Sequence, residues 1–320
     1  MKSKKLLIIS ICLCMVLVIA VVVTTILDKK EVPALPAADE QMADANVITV
    51  DGKDYERNAN INGVLFLGID KEAITDFGDI PGENGQSDSM NLIVCDSSTK
   101  EAQILQISRD TMVDVELYDA NGEFRKKKRG QITLQYAFGD GKHFSCRLTT
   151  KRVSELLYGV EIEDYFALTL DGMAHVADAL GGIPITVPKD YTYIDPAFVE
   201  GAEIVLDSEL TERYVRYRDK SDIEGNTLRM ERQAQFMNAL LSTLRNMDSH
   251  EELASIYQEL EPYMITNLSA DEMMELADYS FSEEISMIEG EEKPVDGYLQ
   301  FHVDNEKLQK KVLDMFYKPL

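Results

Sequence analysis

The chain begins with an apolar run, residues 6–27, that contains no charged side chain. At about 1.5 Å of rise per residue, a helix of this length spans the roughly 30 Å hydrocarbon layer of a bilayer. Lysines occupy positions 2, 4 and 5, whereas residues 28–31 carry no net charge. The positive-inside rule therefore predicts a cytoplasmic tail at 1–5, one transmembrane helix at 6–27 and an extracytoplasmic remainder. A cleaved signal peptide is the alternative, which the length of the run and the lack of a small-residue cleavage site disfavour.

Beyond a polar linker at 28–59, the pattern changes to short apolar runs separated by turns. Residues 64–69, 91–95 and 102–107 are typical of buried strands, and the turn at 96–100 predicts a hairpin between the last two. The remaining pattern predicts helices at 148–157, 171–180, 208–217, 229–247 and 308–316, and strands at 165–170, 183–187 and 285–288. The helix at 171–180 thus lies in a strand–helix–strand unit.

This mixture predicts an α/β (α+β) fold, in which helices cover a central mixed β-sheet. We divide the extracytoplasmic part into a main domain at 60–247 and an extension of helices and a strand at 248–320 that packs on it. Outside the apolar run the only cysteines are Cys95 and Cys146, so one disulfide is possible but no disulfide framework carries the fold.

The net charge of −25 disfavours nucleic acid as a partner, because a nucleic-acid site needs a basic footprint. One basic run, residues 125–129, follows Asn121-Gly122 in an expected loop. That run is either a solvated turn or a contact for a polyanion or a phosphate.

Several charged residues fall at the ends of the predicted strands. Asp70 follows the first strand, Asp88 precedes the second, and Arg109-Asp110 follows the third. Two neighbouring carboxylates can bind a hard cation such as Mg²⁺ together with phosphate oxygens, although a single aspartate is more often a turn residue or a helix cap.

A second cluster combines arginines with a glutamine around a Gly-Asn turn. Arg216 and Arg218 precede the turn, and Arg229, Arg232 and Gln233 follow it at i, i+3 and i+4 of a predicted helix. Guanidinium groups near a helix N-terminus suit the oxygens of a phosphate, and surface ion pairs are the alternative.

Six motifs in this order resemble the LytR-CpsA-Psr family. They are Phe66-Leu-Gly68-Ile-Asp70, Ser87-Asp88-Ser89-Met90, Ile107-Ser-Arg109-Asp110-Thr111, Ala179-Leu-Gly181-Gly182-Ile-Pro-Ile-Thr-Val187, Tyr214-Val-Arg216-Tyr-Arg218 and Arg229-Met-Glu-Arg232-Gln233. The resemblance covers about residues 60–245 and includes the preceding single span. It implies a membrane-anchored enzyme of a Gram-positive-type bacterium that takes a glycopolymer, such as teichoic acid or capsule, from a polyprenyl diphosphate carrier and joins it to peptidoglycan through a phosphodiester.

The resemblance also implies roles for individual residues. Asp70 and Asp88 would bind Mg²⁺ or another divalent cation, and Gln233 would add a neutral hydrogen bond. The diphosphate oxygens would be held by Arg109, Arg218, Arg229 and Arg232. Asp110 would orient Arg109 or accept the proton of the acceptor hydroxyl. We favour orientation, because a carboxylate touching an arginine is expected to stay ionised and weakly basic.

Three positions depart from the family pattern, namely Glu72, Gln86 and Asn226. Fewer positive charges near the diphosphate should weaken binding, unless Lys128 or Arg129 compensates. A lipid tail also needs an apolar pocket, which sheet and helix residues could line instead of filling a core: Phe66, Leu92, Val94, Ile107, Phe166, Leu168, Val176 and Leu180. Two other functions remain open, an inert binder or sensor of lipid-linked wall polymer and a lipid-diphosphate phosphatase in which water replaces the sugar hydroxyl.

Overall fold

A computed structural model describes residues 47–74, 80–219, 225–247, 250–282 and 285–320. The tail expected at 1–5, the span expected at 6–27 and most of the linker lie outside these residues. None of the described helices combines the length and the apolar character needed to cross a bilayer.

The strands within the described residues are short except around the centre of the fold. They are β1 Val47–Val50, β2 Lys53–Arg57, β3 Ile61–Ile69, β4 Ser87–Asp96, β5 Glu101–Ile107, β6 Met112–Tyr118, β7 Phe124–Gln131, β8 Asp164–Thr169, β9 Ile183–Thr186, β10 Glu203–Leu206, β11 Met264–Thr266, β12 Ser280–Phe281, β13 Ser286–Met287, β14 Gly290–Val295, β15 Tyr298–Val303 and β16 Tyr317–Pro319.

The helices alternate with these strands, as the sequence predicts. They are α1 Leu134–Ala137, α2 His143–Leu156, α3 Leu170–Ala179, α4 Ser208–Arg216, α5 Gly225–Arg245, α6 His250–Leu260, α7 Ala270–Ala277 and α8 Asn305–Phe316, with a 3₁₀ turn at Glu261–Tyr263.

The centre of the fold is a mixed sheet with the order β11-β8-β3-β4-β5-β12, in which β13 also pairs with β5. Strand β4 is antiparallel to both β3 and β5, whereas β8 is parallel to β3. The predicted mixed sheet and the predicted hairpin between β4 and β5 are therefore confirmed. Strands β11, β12 and β13 come from residues 264–287, so the C-terminal part of the chain contributes strands to the same sheet.

The sheet is buried on both faces because side chains alternate along each strand. On β3, Val64 and Phe66 join one apolar cluster, and Leu65, Leu67 and Ile69 join the other. Helices α3 to α7 cover the first face, and α1, α2 and α8 cover the second. Such double burial explains the nearly continuous apolar runs from which the strands were predicted.

The predicted strand–helix–strand unit is correct along the chain but not in the sheet. Strand β9 follows helix α3, yet it pairs with β10 in a separate two-stranded ribbon. Pro184 lies in β9 and cannot donate a hydrogen bond to a neighbour, so it suits a strand that has an edge.

The loop expected at 125–129 is wrong, because these residues lie within β7, which pairs with β6 across the Asn121-Gly122 turn. Opposite charges face each other in this hairpin. Arg129 lies opposite Asp114, and Lys127 lies near the buried Glu116. Cross-strand pairs of this kind stabilise a strand that has few apolar residues.

Cys95 and Cys146 are both free thiols, so the disulfide that the sequence allowed does not form in this structure. Cys95 belongs to the apolar cluster on one face of the sheet, and Cys146 belongs to the cluster on the other. Burial raises the pKa of the Cys95 thiol to about 12. Neither thiol is an exposed, readily ionised nucleophile.

Candidate active site

The charged residues predicted at strand ends lie together where three neighbouring strands of the central sheet end or begin. Because β4 runs antiparallel to β3 and β5, the end of β3, the start of β4 and the end of β5 lie side by side. Asp70, Asp88 and Arg109 follow or occupy these three positions. The expectation that the first two strands are neighbours is confirmed.

Asp88 forms the centre of the cluster. One carboxylate oxygen contacts Nη1 of Arg109, and the other lies 3.4 Å from Nη1 of Arg229. Nη2 of Arg109 donates to Oε1 of Gln86 at 2.7 Å. Burial lowers the pKa of Arg229, while the Asp88 charge opposes this shift. A guanidinium stays protonated in proteins, so Arg229 provides a fixed positive charge that is largely shielded from solvent.

Asp70 is held by the turn that precedes β4. The Gln86 N–H donates to Oδ1 of Asp70, and the Asp70 N–H donates to the Gln86 carbonyl at 3.0 Å. Gly85 has a φ of +83°, and a Cβ there would lie 3.1 Å from the Asp70 carboxylate. The tight turn therefore needs glycine at this position.

The Asp70 side chain remains partly open to solvent, yet protein atoms crowd its carboxyl group. This desolvation raises the pKa of Asp70; the Gln86 N–H opposes the rise, and the neighbouring Asp88 charge adds to it. A cation near Asp70 would offset this unfavourable negative charge.

A cavity of about 380 Å³ lies between these residues, and its lining includes most of the predicted site. The predicted members are Asp70, Asp88, Arg109, Arg218, Arg229 and Gln233, joined by Gly68, Ile69, Ser89, Leu170, Met173, Val215 and Arg216. We call it the arginine cavity. The residues to which the family resemblance assigns roles therefore line one cavity, with two exceptions, Arg232 and Asp110.

Arg232 lies behind the arginine cavity rather than on its wall. Its Nε donates to the Tyr214 carbonyl at 2.7 Å, a second nitrogen contacts the Tyr217 carbonyl, and its guanidinium carbon lies 5.1 Å from the centre of the Tyr191 ring. The side chain is almost fully buried. Arg232 therefore holds the end of helix α4 and the segment that carries Arg218.

Gln233 lines the arginine cavity and is held by the backbone of helix α4. Its Nε2 donates to the Val215 carbonyl at 3.1 Å, and its Oε1 has no hydrogen-bond partner among the residues that the structure describes. This oxygen is an acceptor, which suits a hydroxyl or a water molecule better than a phosphate oxygen.

Asp110 is 3% exposed and faces a second opening on the outer side of Arg109. Nε2 of Gln131 donates to its Oδ1 at 2.6 Å, and Nε of Arg109 lies 3.9 Å away. Burial raises the pKa of Asp110 even though Arg109, Arg218 and Arg229 oppose the shift. Sequence reasoning from the adjacent arginine alone predicts a lowered pKa, because it does not include the desolvation of the buried carboxyl group.

Two residues that sequence analysis did not choose as site residues position the others. Gln86 appeared only as a departure from the family pattern, yet it contacts both Asp70 and Arg109. Gln131 ends the basic strand and bridges Asp110 to the Leu299 carbonyl at 2.8 Å. Neither role can be read from local sequence, since each depends on residues brought together by strand pairing. Glu72 is exposed, and the side chain of Asn226 lies outside the described part.

An apolar cavity of about 90 Å³ lies between the sheet and helices α5, α6 and α7. Of the residues considered for a lipid pocket, Phe66, Phe166, Leu168 and Val176 line it. The other four do not: Leu92, Val94 and Ile107 belong to the core on the opposite face, and Leu180 packs at the edge of the cluster.

The described residues hold no group of three or more histidine, cysteine or acidic side chains arranged for a metal ion. Asp70 and Asp88 form a pair instead, which leaves most positions of a six-coordinate ion to other ligands.

Comparisons with known proteins agree with this architecture. The polyisoprenyl-teichoic acid–peptidoglycan teichoic acid transferase TagU of Bacillus licheniformis is 26% identical over 213 residues, which are 67% of this chain and 62% of that protein. TagV of Bacillus subtilis, which carries the same transferase description, is 28% identical over 219 residues, 67% of this chain and 51% of TagV. The chain therefore aligns with about half to two thirds of these relatives.

Among solved structures, the crystal structure of Bacillus subtilis TagV is similar in fold. It superposes with a TM-score of 0.61 at 24% identity, over 81% of this chain and 98% of the TagV chain. The family model described as the LytR_cpsA_psr family matches residues 28–315, a range that contains every site residue named above. This chain therefore belongs to the LytR_cpsA_psr family.

Proposed function

We propose that the protein is a membrane-anchored extracytoplasmic transferase that moves a glycopolymer from a polyprenyl diphosphate carrier to a peptidoglycan hydroxyl. The observation that carries the proposal is the contact of Asp88 with both Arg109 and Arg229 inside the arginine cavity. The transferase descriptions of TagU and TagV support the classes of donor and acceptor.

The arginine cavity supplies fixed positive charge at the place where a diphosphate would lie. Arg109, Arg218 and Arg229 line it, and the Nε of Arg218 has no hydrogen-bond partner among the described residues. Phosphoryl transfer needs mainly positioning and charge neutralisation, which preorganised guanidinium groups provide without reorganising.

A divalent cation such as Mg²⁺ fits the two acidic residues of the cavity. Asp70 and Asp88 are hard oxygen donors that line the same cavity. When bound, such an ion supplies neutralisation of phosphate charge. The two carboxylates would hold it, with phosphate oxygens and water as the other ligands.

The apolar cavity gives the polyprenyl chain a place beside the phosphates. Strand β3 connects the two sites, because Phe66 lines the apolar cavity and Gly68 and Ile69 line the arginine cavity. An isoprenoid tail would contact only apolar side chains there, so its burial would add hydrophobic free energy to donor binding.

In the proposed reaction, the acceptor hydroxyl oxygen forms a bond to the phosphorus that bears the glycan. The bond from that phosphorus to the bridging oxygen breaks, and its electron pair leaves with polyprenyl phosphate. Asp110 accepts the hydroxyl proton, a role that its raised pKa favours over simple orientation of Arg109. Gln131 holds the Asp110 carboxylate in place.

The test incubates the purified full chain with lipid-diphosphate-linked glycan and peptidoglycan oligomers in Mg²⁺, and seeks the phosphodiester product by mass spectrometry. We expect product from the parent and little from Asp70→Asn or Asp88→Asn, with donor binding largely retained in Asp70→Asn. Release of glycan phosphate to water without a peptidoglycan product would indicate a phosphatase. Donor binding with no turnover would indicate an inert binder.

A further inference from the structure

The outer opening that Asp110 faces is a cleft of about 860 Å³, larger than either cavity described above. One wall is the hairpin of β6 and β7, and the other is the tip of the hairpin of β14 and β15. Arg109 and Arg218 line both this outer cleft and the arginine cavity. The cleft therefore ends at the groups that would hold the reacting phosphate.

The β14–β15 hairpin is fixed to the site and does not merely lie near it. Its Phe301 N–H donates to the Asp110 carbonyl at 2.8 Å, and its Leu299 carbonyl accepts from Gln131 at 2.8 Å. The two-residue turn is Asp296-Gly297, with φ values of 50° and 84°. An Asp-Gly turn of this kind sets a hairpin register firmly, so the tip is presented in one position.

The tip carries Tyr298, which is 71% exposed and lines the cleft. An aromatic ring in water beside a cleft offers a flat apolar face with a polar hydroxyl at its end. Opposite it, Leu117, Leu134 and Phe138 add further apolar surface. A mixture of flat apolar and polar surface suits a pyranose ring, which has one face of C–H groups and a rim of hydroxyls.

The charged residues of the basic strand β7 differ in whether they form an ion pair. Arg125, Lys127 and Arg129 each form an ion pair with an acidic residue. Lys128 lies opposite Val115, lines the cleft and has no ion pair among the described residues. In a chain with a net charge of −25, a lysine left without a carboxylate on a cleft wall indicates an anionic group on the ligand.

From these observations we infer that the outer cleft is the acceptor subsite, which binds a peptidoglycan glycan strand with a sugar ring on Tyr298 and a carboxylate of the strand near Lys128. The inference rests on the proposed function for the identity of the acceptor. The strand's hydroxyl then reaches Asp110 at the inner end of the cleft, beside Arg109 and Arg218, which line both the outer cleft and the arginine cavity.

The test uses the full chain in detergent and measures transfer with the acceptor titrated at saturating donor, then with the donor titrated at saturating acceptor. Tyr298→Ala and Lys128→Gln should each raise the KM for peptidoglycan oligomers by about three- to tenfold, the loss expected for one ring or charged contact. Both should leave the KM for the lipid-linked donor within about twofold. Tyr298→Phe should give an acceptor KM between those of the parent and Tyr298→Ala, because it keeps the ring and loses the hydroxyl.

Two matched controls lie on β7 but outside the cleft. Phe124→Ala removes an exposed aromatic side chain, and Arg125→Gln removes a charge that is paired with Asp119. Neither should change the KM for the acceptor. An unchanged acceptor KM in Tyr298→Ala and Lys128→Gln overturns the inference, and a raised donor KM would assign the cleft to the donor glycan instead.

A second measurement separates this inference from the proposed function. Soluble uncrosslinked peptidoglycan oligosaccharide is titrated into the full chain by calorimetry with no donor present. If the parent shows no transfer but its oligosaccharide binding is lost in Tyr298→Ala, the transferase proposal fails and the cleft assignment stands. Equal binding in the parent and both cleft variants overturns the assignment even if transfer occurs.

Discussion

Arg229 and Arg232 belong to one sequence motif but do different work in the structure. Arg229 lines the arginine cavity beside Asp88. Arg232 instead donates to one carbonyl in the last turn of helix α4 and to one carbonyl just after the helix. On a helix, position i+4 lies about 40° around the axis from position i, and position i+3 lies on the other side of i. Side chains of one motif can therefore point in different directions.

We therefore expect Arg229→Ala and Arg232→Ala to fail in different ways. Arg229→Ala should weaken binding of the lipid diphosphate by about 1.5–3 kcal/mol for each charged hydrogen bond lost. Arg232→Ala should lower the free energy of unfolding by about 3 kcal/mol, because buried carbonyls lose their donor. Urea unfolding and donor titration measure the two effects.

Lysine provides the control at both positions. Arg229→Lys should recover part of the donor affinity, since it restores the charge but not the fork of donors. Arg232→Lys should remain unstable, because one ammonium cannot reach both carbonyls and the Tyr191 ring. Full stability in Arg232→Ala, together with lost donor binding, would place Arg232 on the diphosphate after all.

Asp110 gives a prediction on pH. Burial raises the pKa of Asp110 in the folded state, so folding favours the protonated form. Its contribution to stability is fully present below the unfolded pKa of about 3.9 and is lost as the pH rises through the raised folded pKa. Asp110→Asn does not titrate, and its amide oxygen can still accept from Gln131.

The unfolding free energy of Asp110→Asn minus that of the parent should therefore increase between about pH 3.5 and pH 7. Denaturant titrations at a series of pH values measure this difference. The subtraction removes the other carboxyl groups, including Asp70, whose pKa is also raised. A difference that falls with rising pH would mean that the arginines, and not desolvation, dominate at Asp110.

At the scale of elements, the sequence predicts what is local and misses what depends on a distant partner. The hairpin of β4 and β5 is confirmed because its two apolar runs and its turn are contiguous. The sequence predicts a loop at the basic strand β7, although residues 113–117 alternate between apolar and acidic side chains and indicate the partner strand. The β14–β15 hairpin was missed because most of its residues are exposed.

The same limit applies to the site. Asp70, Asp88 and Arg109 could be placed together from sequence because they border adjacent strands. The positions of Gln86 and Gln131 could not, since each follows from a hydrogen bond between segments far apart in the chain. Burial of Asp110 is likewise a property of the assembled fold, so its pKa could not be judged from its neighbour Arg109.

The helices that cover the apolar cavity provide the element-scale prediction. Ala277 ends helix α7 on the cavity wall, and Ala277→Leu should place three more carbons in a space of about 90 Å³. Affinity for a donor with a long polyprenyl tail should fall about tenfold, whereas a donor with a short, soluble tail should bind as before. Competition binding of the two donors measures the difference.

Ala277→Ser is the matched control, because it hardly changes the volume and should bind both donors as the parent does. The unfolding free energy of Ala277→Leu should stay within about 1.5 kcal/mol of the parent, since the added carbons enter a cavity. Equal affinity of Ala277→Leu for long-tail and short-tail donors would show that the tail lies elsewhere.

At the scale of the whole molecule, each proposed site is linked to the next by a shared strand or by shared lining residues. Strand β3 links the apolar cavity to the arginine cavity, and Arg109 and Arg218 link the arginine cavity to the outer cleft. Lipid tail, diphosphate and acceptor would thus occupy successive spaces. The net charge of −25 makes the local arginines and Lys128 necessary, because the rest of the surface repels anionic ligands.

The proposed lipid-linked donor would require the site to lie near the membrane, and the proposed peptidoglycan acceptor would require it to lie outside the cell, which leads to a prediction on topology. If residues 6–27 span the membrane with Lys2, Lys4 and Lys5 inside, protease added to wall-free cells should digest the domain and spare an N-terminal tag. Replacing the three lysines with glutamine should remove the charge bias and allow part of the population to insert in the opposite direction. Immunoblots before and after membrane disruption distinguish the two orientations. A domain that resists protease until the membrane is broken would place the arginine cavity on the cytoplasmic side, where no peptidoglycan acceptor could reach the outer cleft, and the transferase proposal would fail with it.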